Sequence, residues 1–77
     1  MGETGIKFVV FYDHRKKVKG IELPLTKFVS WEDSIEEATL VISRKAVEFG
    51  ASMYSFHVSS YDLNSQIPLK LKTYIFK

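Results

Sequence analysis

The chain has no cysteine. Disulfides, thiolate metal sites and a cysteine nucleophile are thereby excluded, and a small core must hold unaided or by association. No apolar run is long enough to cross a bilayer as a helix, and the start lacks the basic-then-apolar layout of a signal peptide. Met1-Gly2 suits myristoylation, but Ile6 stands where Ser or Thr is needed. The four glycines, at 2, 5, 20 and 50, form no phosphate-binding loop. Charge of one sign is scarce: the net charge is +2, which argues for neither nucleic acid nor an acidic partner. These absences lead to an expectation of a cytoplasmic protein, or a periplasmic one if a leader has been removed. No cofactor, metal, membrane or small-molecule substrate is expected.

What is present is one small domain. Its 77 residues lie near the lower limit for a single-core fold, and 45% hydrophobic content argues against disorder. Residues 30–50 are the only stretch suited to a multi-turn helix. Ser30 reads as its N-cap with Asp33 completing a capping box, and Gly50 as its stop. At about 100° per residue, Trp31, Ile35, Ala38, Ile42, Ala46 and Phe49 share one face. Leu40 and Val47 point almost the opposite way.

Strand-like sequence flanks the helix. Residues 6–12 are rich in β-branched and aromatic side chains, with apolar residues on both faces, as in a central strand. Residues 13–17 read as a charged connection and 18–25 as a returning strand, in which Pro24 marks an edge position or the strand end. Residues 52–61 form a third strand, with Tyr54, Phe56 and Val58 on one face. Residues 69–76 form a fourth, with Leu69, Leu71, Thr73 and Ile75 set against Lys70, Lys72, Tyr74 and Phe76. The predicted fold is α+β, a two-layer β-β-α-β-β domain with one helix on a four-stranded antiparallel sheet.

The run Arg44-Lys45-Ala46-Val47-Glu48-Phe49-Gly50-Ala51-Ser52-Met53-Tyr54, with the closing Thr73-Tyr74-Ile75-Phe76-Lys77, resembles the helix-to-strand signature of the YdgH/BhsA/McbA-like small proteins of enterobacteria. The resemblance covers roughly the second half of the chain. It implies a similar fold, and a periplasmic setting linked to stress responses and biofilm. The chain departs from that family in its start and in its long basic first hairpin, and no functional residue carries over.

No catalytic set stands out. His14 follows Asp13, and His57 lies between Ser55 and Ser59 on one strand face, but no acid–base–nucleophile order is completed. The expected role is therefore non-enzymatic: a protein-interaction module or regulator, of the size of phage-encoded inhibitors, binding a partner protein or a second copy. Its contact residues would be Leu40, Val47, Tyr61, Tyr74 and Phe76, apolar groups that a small interior cannot hide. The alternative is single-stranded nucleic-acid binding. Tyr74 would stack on bases, with Arg15, Lys16, Lys17, His57, Lys70 and Lys72 beside it to meet phosphates.

Overall fold

The β-branched and aromatic run that opens the chain does not stop at residue 12. In the computed structural model, which describes residues 5–76 and of Lys16 only the backbone, β1 spans Ile6–Val18. The stretch at 13–17 expected as a charged connection is strand. The turn lies beyond it, at Lys19 and Gly20, both at positive φ (52° and 79°), as a tight two-residue hairpin requires. β2 then runs Ile21–Glu32, α1 covers Ile35–Phe49, a single 3-10 turn follows at Met53–Ser55, and β3 (Phe56–Asp62) and β4 (Leu69–Ile75) close the chain. The expectations for residues 1–4 and Lys77, and for the side chain of Lys16, lie outside the described residues.

The helix starts later than expected. Ser34, not Ser30, is the N-cap: its hydroxyl accepts from the Glu37 N–H at 3.1 Å, and Glu37 stands at the capping-box position. Trp31 therefore leaves the helix and lies in β2, opposite Val9. Gly50 ends the helix at φ 66°, as expected, and its N–H reaches back to the last-turn carbonyls.

The plain four-stranded, two-layer sheet is corrected. The sheet is a half-barrel of five antiparallel strands beside one helix. Val29 bulges from the β1–β2 ladder, because Val10 pairs with Ser30 and Phe11 with Phe28, so β2 divides into runs 21–28 and 30–32. A bulge sharpens twist and bends the strand that carries it, which is how long strands curl instead of lying flat. The elements hydrogen-bond in the order β2-β1-β3-β4, with β1 central and every pairing antiparallel. The α+β class itself fits.

One sheet face meets the helix. Val10, Phe56 and Val58 lie fully buried against Ala38, Ile42 and Ala46. The two alanines let the helix backbone approach, and Ile42 fills the space between them. Phe8 and Tyr12 extend this layer along β1, and Phe49 and Phe56 close its end around Tyr12.

Beyond Leu71, β4 is turned over relative to expectation, while Leu69 and Lys70 keep the expected facing. Tyr74 pairs with the buried Val58 and packs on Phe8 with ring centroids 6.1 Å apart, while Leu69, Leu71 and Ile75 are exposed. The cause is a second register shift, beside Ser60 and Tyr61, which leaves Leu71 unpaired. A one-residue slip exchanges the two faces of a strand. Tyr54 likewise leaves the core face, since the 3-10 turn carries it outward.

Two consequences for stability can be measured by denaturant unfolding. Ile42→Ala should cost about 2–5 kcal/mol, while Leu40→Asp on the outer helix surface should change stability by less than about 1 kcal/mol. Ser30 places its Oγ in the interior with no hydrogen-bond partner among the described residues. Ser30→Ala should therefore raise stability by about 1 kcal/mol; a loss would show that the hydroxyl is satisfied.

Candidate interaction surfaces

β1 and β2 are longer than β3 and β4, so the first hairpin runs on as a two-stranded arm beyond the body. Residues 17–28 are exposed throughout. Cross-strand register sorts the arm into two unlike faces. Val18 pairs with Ile21, His14 with Leu25, and Leu23 falls between them, on the ribbon face that carries Tyr12 toward the helix. Arg15, Lys17, Glu22 and Pro24 lie on the other face, where the Arg15 guanidinium donates to Glu22 at 2.9 Å. The aliphatic face, which also carries the positions of His14 and Lys16, lies open: Val18, Ile21, Leu23 and Leu25 keep 41–62% of their surface in water. A two-stranded hairpin is marginal alone in water, so such a face gains from a cover.

Where the arm leaves the body, Tyr12, Asp13, His14, Arg15, Tyr54 and Ser55 line a cleft of about 400 Å³. Tyr54 stands beside it with 67% of its surface exposed.

The sheet face away from the helix forms a second surface. Lys7, Val9, Phe11 and Asp13 project there from β1, and His57, Ser59 and Tyr61 from β3. Phe11 stacks on His57 at 5.0 Å between ring centroids, and His57 Nδ1 lies 2.6 Å from Asp13 Oδ2. Asp13 also accepts from the Thr26 hydroxyl. Phe28 and Trp31 add two half-exposed rings, 6.0 Å apart.

This arrangement sorts the residues expected from sequence. Arg15, Lys17, His57, Lys70 and Tyr61 share the face away from the helix. Lys72 and Tyr74 do not join them: both are on the helix side, with the Lys72 ammonium 4.8 Å from the Tyr74 ring centroid. Phe76 also packs toward the core. Placing Tyr74 and Phe76 as exposed contact residues is corrected accordingly, the slip in β4 being the reason. Leu40 and Val47 are exposed on the outer side of α1, as expected.

Sequence reasoning missed Phe28 and Trp31 as surface aromatics, the Asp13–His57 contact and the arm. The signal for the arm was present: Ile21, Leu23 and Leu25 alternate with polar residues or proline, and Arg15 and Lys17 alternate in the facing strand. Asp13 and His57, 44 residues apart, meet only through the β1–β3 register, which no local pattern reveals.

Among the described residues, no group of three or more His, Asp and Glu could hold a metal ion. No helix there is long and apolar enough to cross a membrane, which says nothing of strands. Comparison with protein-family models, curated proteins and solved structures gave no match. The resemblance of residues 44–54 to the enterobacterial family remains an expectation from sequence.

The position of the single tryptophan is directly observable. In the folded chain, acrylamide should quench Trp31 fluorescence strongly, because about half the side chain is exposed. Quenching that stayed weak until denaturant was added would return Trp31 to a buried helix face.

Proposed function

We propose that the chain is a non-enzymatic protein-interaction module whose main contact is the apolar face of the first hairpin. The observation that carries this reading is the sidedness of the arm. Val18, Ile21, Leu23 and Leu25 stand together on one ribbon face, which the positions of His14 and Lys16 share, and no described element covers them. Each such side chain contributes roughly 1.5–3 kcal/mol when fully buried, so a partner covering part of this face gains several kcal/mol before ordering costs. Leu40 and Val47 offer a second, smaller apolar contact on the helix.

Single-stranded nucleic acid is the second reading. Phe28, Trp31 and Phe11 on the face away from the helix favour it, as rings on which bases stack. The charges there weigh against it. Arg15 is paired with Glu22 and Lys7 with Asp33, so two of the cations on that face are matched by carboxylates.

The two readings part on salt and nuclease. Immobilised protein should retain a protein ligand from nuclease-treated extract at about 0.5 M salt, where phosphate contacts are strongly weakened. Leu23→Asp should abolish that retention, and Trp31→Ala should leave it intact. Binding lost on nuclease treatment, or on Trp31→Ala but not Leu23→Asp, would contradict the module and favour nucleic acid.

A further inference from the structure

We infer that the partner seated on the arm is a second copy of this chain, its own arm packed antiparallel and face to face on the first. The inference rests on the module reading above and names its partner.

The first argument is area. The accessible surface is 5674 Å² for a chain of 8.9 kDa. A monomeric globular protein of that mass exposes about 4,800 Å². The excess, roughly 900 Å², is close to what each partner contributes to a standard stable interface, about 800 Å². Shape agrees: the radius of gyration is 14.1 Å, against about 11.5 Å for a compact domain of this length. The molecule measures 51 × 26 × 18 Å, and its surplus surface includes the protruding arm.

The second argument is self-complementarity. A two-fold contact needs a patch that fits itself, residue i touching j while j touches i. The arm face offers this. From Leu25 at the base to Ile21 at the tip is roughly 14 Å at 3.4 Å per residue. Two arms laid antiparallel set the tip of each, Val18 and Ile21, against the base of the other, where Tyr54 and the cleft lie. This direction also sends the basic tips, with Lys17 and Lys19, to opposite ends of the contact. A parallel arrangement would bring the two Lys19 tips together, whereas the Lys16 positions, paired with Leu23 midway along the arm, meet in either direction. The charged ribbon faces, with their Arg15–Glu22 pairs, remain in water on the outside.

The third argument is the absence of competing cover among the described residues. Leu23 and Leu25 stay exposed although they lie on the ribbon face that meets the helix further along. The helix ends at Phe49, and the 3-10 turn reaches only the arm's base.

The test uses the full chain and its solution mass by light scattering or sedimentation. At about 100 µM the mass should be about twice the monomer's. Leu23→Asp should raise the dimer dissociation constant by roughly two orders of magnitude or more, since it buries a charge at the contact. Ser43→Asp, at an exposed position of α1 outside every proposed contact, should leave the dimer unchanged. Because the native chain has no cysteine, a mixture of the single variants Lys19→Cys and Ser55→Cys tests the arrangement with the apolar face intact. Tip and base should cross-link between copies, and faster than Lys19→Cys with itself. A monomeric mass across the concentration range would overturn the inference, as would a dimer that survives Leu23→Asp or lacks the tip-to-base cross-link. If the chain is monomeric yet still loses its extract partner on Leu23→Asp, the module reading stands and only the second copy fails. If Leu23→Asp changes neither mass nor retention, both fail.

Discussion

Ala38 and Ala46 allow α1 to lie close on Val10, Phe56 and Val58, and Ile42 fills the remaining space. That contact holds most of the buried interior among the described residues; the rest is Ser60 on the same sheet face and Val9 and Ser59 on the other. The contact is narrow. A helix of 15 residues is about 22 Å long, while 13 residues of β1 extend for about 43 Å. Roughly half the length of the central strand therefore has no helix to cover it. The exposed arm and its apolar face follow from this mismatch in length.

The mismatch also assigns different duties to the two hairpins. β3 and β4 stay within reach of the body, and Tyr74 returns to the core on Phe8. The first hairpin holds the sheet through the inner half of β1 and leaves it through the outer half. Its bulge at Val29 bends β2 between these two tasks, placing Val29 against the core while Phe28 and Trp31 point away. An apolar arm that the monomer cannot bury is costly in isolation and useful in an assembly, which is why interaction explains it more readily than packing.

Much of this was legible in the sequence, but unevenly. The spacing of Ala38, Ile42 and Ala46 and the stop at Gly50 identify the helix and its buried face, because helical period and cap chemistry are local. Ser30 and Ser34 each precede an acid by three residues, and only tertiary pairing decides between them. Val9 holds Trp31 in the ladder, so the cap moves to Ser34. The closing strand alternates leucine and lysine in a way that predicts leucine inward. The unpaired Leu71 reverses this, and aromatic packing of Tyr74 rewards the reversal, with Lys72 laid across the ring. Bulges are decided by non-local pairing, so the curl of the sheet, the facing of β4 and the meeting of Asp13 with His57 lie beyond any single-sequence pattern.

The central claim is that one helix secures only the inner part of the sheet and leaves the arm to be stabilised by association. Amide hydrogen exchange measured at about 1 µM and again at about 100 µM addresses it most directly. The account predicts slow exchange in α1 and β3 at both concentrations. In residues 14–25 it predicts fast exchange at the lower concentration and marked protection at the higher. Equal and strong protection of residues 14–25 at both concentrations, in a chain shown to be monomeric, would contradict it.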